Sequence, residues 1–278
     1  MLGLEDYEGA ASSARRAIEL KPTLAEAHSN LALAQIKLRR FNEAVETCEN
    51  ALEQGAELPI LHSNLGLALT CQGQHKRGLE SCRRALELDS KLAPAHSNLA
   101  IAQIKLGDFR GAVAASRKAI ELESGSAQAH GNLGLALARL RRYEDAIKSC
   151  EQALLLDPKL AITHSNLGMI YFELGDYQRA VESCSKAIEI DDSLAVAYNN
   201  RAVAKTRMGQ HEEALADLDK ALSLDGATAK TFANRAYSQL RLGRTEEAAR
   251  DCEEALKRDP QMGAALSTSG LASLKTGA

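Results

Sequence analysis

Three residue types with chemically useful side chains recur at a fixed interval in this chain: histidine, cysteine and asparagine. His28, His62, His96, His130 and His164 stand 34 positions apart. Asn30, Asn64, Asn98, Asn132, Asn166, Asn200 and Asn234 keep the same interval without a break. Five of the six cysteines, Cys48, Cys82, Cys150, Cys184 and Cys252, share another phase of it, where the remaining copies carry Ser116 and Leu218. Imidazoles and thiolates are metal ligands and partners in nucleophilic catalysis. Ligands must converge on one point, however, and residues fixed at one phase of a repeat form a row. A position that accepts Cys, Ser or Leu is a small packing position, and His75 and His211 fall at a phase otherwise held mostly by aromatics. No metal site, cofactor or catalytic residue is therefore assigned. Cys71 lies off the cysteine phase and is expected to be exposed. Asparagine is different, because a carboxamide both donates and accepts, matching the N–H and C=O of an extended peptide.

The elements that must position these residues follow from the same period, which marks a stacked repeat instead of a globular domain. Each unit is numbered from 1 at Ala25, Pro59, Ala93, Ala127, Ala161, Ala195 and Ala229. Phases 4, 7, 8, 11 and 14 carry apolar or small residues at helical spacing, so one amphipathic helix opens the unit. Gly73, Gly107, Gly175, Gly209 and Gly243 at phase 15 are expected left-handed stops. Phases 20, 21, 24, 27 and 28 mark a second helix, and Pro158 and Pro260 stand at phase 32 in the link that follows it. Phase 27 is Ala in every copy, from Ala51 to Ala255, and phase 20 is Ala or Gly. Small side chains there let helix backbones approach closely, and larger ones would overpack the contact.

The small residues at phases 8, 20 and 27, the aromatics Phe41, Phe109, Tyr143 and Tyr177 at phase 17, and Pro at phase 32 resemble the tetratricopeptide repeat over nearly the whole chain. The departures are local: His replaces the family's usual Trp at phase 4 in five copies, and phase 17 is His75, His211 and Thr245 in three. The resemblance implies an all-α, right-handed superhelical solenoid of antiparallel helix hairpins. Residues 1–24 would form a partial repeat (its second helix), 25–262 seven complete repeats, and 263–278 a partial repeat (its first helix). Met1 would fall inside a helix and Gly277 at a turn, so the expected whole is a piece of a longer protein.

Composition narrows the function. The 278 residues are 45% apolar with 4% aromatics and no tryptophan, which favours helices built on Ala and Leu. A net charge of -3 with interspersed signs supplies no basic face for nucleic acid. No run of about 18 apolar residues exists to span a bilayer. Glu5, Asp6, Glu8, Arg15 and Arg16 are incompatible with a signal-peptide apolar core within these first residues. Free, widely spaced thiols point to a reducing, cytoplasmic setting. There is no phosphate loop, nucleophile elbow or HExxH motif.

In the family that the sequence resembles, first helices line a concave wall at phases 2, 5, 6, 9, 12 and 13. The seven asparagines occupy phase 6 and look like the asparagine ladder in the superhelix of the O-linked N-acetylglucosamine transferases. They are read as peptide contacts, with Asn98, Asn132 and Asn166 foremost; the alternative is that they hydrate the wall or bond a neighbouring helix. Phase 9, which includes Leu135, offers an apolar stripe that either receives ligand side chains or packs adjacent helices. Phase 13, which includes Lys37, Lys105, Arg139, Arg207 and Arg241, favours an acidic or phosphorylated ligand or else simply solvates helix ends. The carboxylate clamp of chaperone adaptors is absent from this stretch, since only Lys230 with Asn234 matches a third of it. The expected function is a non-catalytic protein-interaction scaffold binding an extended peptide. The alternative is a substrate-recognition arm of a larger enzyme, such as a protein O-glycosyltransferase, with its catalytic domain elsewhere. Self-association through the incomplete ends is a further possibility. Charging partly buried histidines is expected to loosen the array below about pH 6.

Overall fold

The computed structural model describes residues 6–224 and 227–276. Met1 and Gly277, which the sequence places in a helix and at a turn, lie outside the described residues. Within them the chain is an all-α repeat solenoid of sixteen helices. The first helices of the units are α2 (Ala25–Lys37), α4 (Pro59–Cys71), α6 (Ala93–Leu106), α8 (Ala127–Arg139), α10 (Ala161–Glu173), α12 (Ala195–Arg207) and α14 (Ala229–Arg241), and α16 (Gly263–Thr276) continues the series. The second helices are α1 (Tyr7–Leu20), α3 (Phe41–Glu53), α5 (His75–Leu88), α7 (Phe109–Leu122), α9 (Tyr143–Leu156), α11 (Tyr177–Ile190), α13 (His211–Ser223) and α15 (Thr245–Arg258). Every first helix opens on phase 1 and every second helix on phase 17. The chain divides into two compact units, one ending at Leu156 and one beginning at Asp157. The period runs through this division unaltered.

The helix ends explain the strictness of the register. Second helices α1, α7 and α11 start on Asp6, Asp108 and Asp176, whose carboxylates accept the backbone N–H three residues on, at 2.7, 2.9 and 3.1 Å. Such a cap satisfies one of the orphan donors of the first turn. First helices stop at phase 15, where five glycines adopt φ between 80° and 86°. Arg39 and Arg141 hold the same phase in the two units without that glycine, and both are also left-handed, at φ 60° and 61°. The turn therefore imposes its geometry on whatever residue stands there.

Packing is built on small residues against a few large ones. The phase 27 alanines are all fully buried, as are the six alanines at phase 20. At phase 8, Gly66, Gly134 and Gly168 lie against the sulfurs of Cys82, Cys150 and Cys184 in the facing helix, leaving no room for a methyl group. Leu61, Leu69, Leu137, Ile170 and Leu218 fill the spaces between hairpins. Full burial of such a side chain stabilises by roughly 1.5–3 kcal/mol, so a handful carries each hairpin contact.

Candidate functional site

The phase 6 asparagines sit two turns into each first helix, on the face shared with phases 9 and 13. In the first unit, Asn64 Nδ2 donates to the Ser29 carbonyl oxygen at 3.2 Å and to Ser29 Oγ at 3.1 Å. Asn98 repeats this on Ser63 at 3.2 and 3.0 Å, and Asn132 on Ser97 at 3.3 and 3.1 Å. In the second unit Asn200 does so on Ser165 at 3.4 and 3.1 Å. A carbonyl oxygen only accepts, so the atom facing it must be the amide nitrogen, and the carboxamide orientation is fixed. The amide nitrogen is thereby held inside the wall. No described residue donates to the Oδ1 oxygens of this row. In these four asparagines the amide nitrogen is engaged by the preceding repeat, and the side-chain oxygen remains as an acceptor.

The row is not uniformly accessible. Asn64 and Asn98 are 4% and 7% exposed, while Asn132, Asn166, Asn200 and Asn234 are half-buried. Asn30 is exposed, and no described residue hydrogen-bonds it. Asn234 differs again, because position 199 is Asn and not Ser: its Nδ2 donates at 3.1 Å to the Asn199 side-chain oxygen. Leu135 is half-buried beside the row, and Arg139 is exposed one helical turn further on. Leu33 and Tyr237, the outermost members of the phase 9 stripe, are 43% and 38% exposed. Six of the seven first helices thus present an acceptor, then an apolar group, then at phase 13 an exposed polar or charged residue.

The histidines hold loops. The Nε2 of His28 lies 2.7 Å from the Pro22 carbonyl, and His96, His130 and His164 repeat the contact to Ser90, Ser124 and Pro158 at 2.9, 3.2 and 3.1 Å. Each imidazole donates from Nε2 to the backbone six residues earlier and pins the link that precedes its helix. His62 instead lies 3.5 Å from the Glu57 carboxylate. Burial pushes the thiols of Cys48, Cys82, Cys150 and Cys184 up to about 12 and that of Cys252 to about 11, so these cysteines are inert packing groups at neutral pH. Cys71 is exposed, as expected.

Sequence reasoning missed one feature. Phase 7 is read as apolar, and it is Leu in five units, but it is Arg201 and Arg235 in the other two. Arg201 forms a two-point ion pair with the buried Asp217, and Arg235 does so with the buried Asp251. Lys205 adds a third contact to Asp217 at 2.8 Å. Hydrogen bonding to these carboxylates raises both guanidinium pKa values further above their ordinary range. The signal was present: Asp appears at phase 23 in the same two units in which Leu gives way to Arg.

The fold and the wall together define a helix-hairpin repeat protein. The tetratricopeptide repeat family matches at residues 1–63, 93–125, 125–193, 195–226 and 233–278, and the chain belongs to that family. Repeats of this kind make it a protein–protein interaction scaffold. Solved structures share the fold. A chain of the APC/C hetero-tetramer Cut9–Hcn1 superposes with a TM-score of 0.85 at 16% identity, over 96% of this chain and 52% of that one. This chain therefore spans about half the length of that relative. A tetratricopeptide repeat protein from Parabacteroides merdae gives 0.62 at 20% identity, over 89% and 98% of the two chains. PilW, a type IV pilus biogenesis factor, gives 0.63 at 20%, over 75% and 97%. A search of curated proteins gives no match. No helix among the described residues is long and apolar enough to cross a membrane.

Proposed function

We propose that this chain is a non-catalytic scaffold that holds an extended peptide segment of a partner protein against the asparagine-lined face of its first helices. The observation that carries this reading is the fixed amide of Asn64, Asn98, Asn132 and Asn200, each with its nitrogen bonded to the preceding repeat and its Oδ1 without a donor among the described residues. An acceptor held in place costs little ordering when a ligand arrives, and an extended backbone supplies N–H donors whatever its side chains. The ligand is accordingly gripped through its amide hydrogens, with the phase 9 stripe, including Leu135, and the exposed phase 13 groups, including Arg139, meeting its side chains.

The test is a random 12-residue peptide library selected on the full chain. Affinities of the selected peptides are then measured on the wild type and on Asn98→Ala/Asn132→Ala/Asn166→Ala. Each lost hydrogen bond should weaken binding by about 0.5–1.5 kcal/mol. The triple variant also loses the internal bonds of Asn98 and Asn132, so circular dichroism must show it folded at the assay temperature. Selected peptides that bind the folded triple variant as tightly as the wild type would reject the asparagine wall as the site.

A further inference from the structure

The second unit contains a pocket of about 400 Å³ among wall residues of α12, α14 and α16, lined by Val203, Thr206, Arg207, Asn234, Tyr237 and Thr268 among others. Asn234 in its lining departs from the asparagine–serine bond made by other rungs. Asn64, Asn98, Asn132 and Asn200 each reach a serine of the preceding first helix and touch that helix's backbone oxygen. At the α12–α14 contact the preceding residue is Asn199, and Asn234 reaches only its longer side chain, at 3.1 Å. There α12 and α14 touch less than any other neighbouring pair of first helices within either unit. The wall opens there.

The chemistry of the opening is one-sided. Its lining includes one charged side chain, Arg207, which is exposed and engaged by no ion pair among the described residues. The Arg207 guanidinium lies 5.6 Å from the centre of the Phe172 ring, a contact with the ring face that leaves its N–H edges free. Tyr237 accepts at its hydroxyl oxygen from Arg241 at 3.2 Å, which frees the hydroxyl hydrogen to donate. Asn234 has committed one amide hydrogen to Asn199. Arginine and hydroxyl donors without a competing carboxylate in the lining are the groups that select an anion, whereas Val203 and the tyrosine ring accommodate the methylenes that carry it.

We propose that this pocket is the anchoring subsite of the peptide wall and takes an acidic side chain, Asp or Glu, of the bound segment, with its carboxylate on Arg207 and Tyr237. The proposal rests on the peptide reading above and adds to it a residue class and a place.

Peptides selected on the full chain test it. They should share an acidic residue at one fixed position, and changing that residue to its amide should weaken binding by about tenfold or more, the loss of a charge-assisted bond. Arg207→Glu, a change at an exposed site, should produce a comparable loss and make a second selection favour Lys or Arg at that position. Peptides that share no acidic residue, or that bind Arg207→Glu as they bind the wild type, would overturn the subsite. Should those same peptides still depend on Asn98, Asn132 and Asn166, the wall stands and only the subsite falls. A library that yields no binding peptide overturns both.

Discussion

Arg201 and Asp217 face each other across one helix hairpin in a two-point ion pair, Nη2 to Oδ1 at 2.6 Å and Nε to Oδ2 at 2.9 Å, with the carboxylate only 5% exposed. In five units the equivalent positions hold Leu opposite Ser, Thr or Ala. The ionic version needs three cationic and polar partners, since Ser185 and Lys205 also join it. Desolvating such a cluster costs much of what its pairing returns.

Asp217→Ala should therefore destabilise the protein by about 3–5 kcal/mol, because it strands Arg201 and Lys205 in a partly buried site. The double change Arg201→Leu/Asp217→Ser restores the pairing of Leu167 and Ser183 one unit earlier and should sit near the wild type. Urea unfolding of both variants decides it. A double variant as damaged as the single one would mean that the ion pair stabilises the hairpin in its own right.

Arg141 occupies the left-handed phase 15 turn at φ 61°, where five other units place glycine. A left-handed residue with a side chain carries about 1–2 kcal/mol of strain, partly offset because glycine gains freedom in the unfolded chain. Arg141→Gly should then stabilise by roughly 0.5–1 kcal/mol, read as a higher urea midpoint at unchanged slope. A lower midpoint would show that the arginine side chain contributes more than its backbone costs.

His211 stands at phase 17, where four other units use Phe or Tyr, and its buried Nδ1 has no hydrogen-bond partner. Burial first, and then the nearby Arg241 charge, lower its pKa in the folded state. A lowered folded value means that the unfolded chain takes up the proton first. Stability is accordingly full above the ordinary histidine value of about 6.5 and falls as pH drops below it toward the folded value. The melting temperature should be lower at pH 5.5 than at pH 7.5, and His211→Phe should shrink the difference. Equal melting temperatures at the two pH values would exclude this contribution.

Most of the fold is legible from periodicity. Ala25, Pro59, Ala93 and their counterparts are the first residues of α2, α4, α6 and the later first helices, because the helical spacing and alanine contacts recur in every copy and turn glycines in most. Copy-specific features escape that reading. Averaging over units hides Arg201 and Asp217, whose meaning appears only when two distant phases are read together within one unit. The direction of the Asn64, Asn98, Asn132 and Asn200 carboxamides escapes for a different reason: it depends on a serine 35 residues earlier, and only stacking makes the two neighbours. Asn98 illustrates the consequence, since a residue read as a leading contact is 7% exposed and mostly committed to Ser63. The division at Leu156 leaves no mark on the period at all.

The serine–asparagine bonds make the rungs at Asn64, Asn98, Asn132 and Asn200 joint products of two repeats. If the wall holds a peptide as proposed, a hairpin that frays would misalign the asparagine of the repeat behind it while leaving that repeat folded, and loss of grip would travel one step ahead of loss of structure.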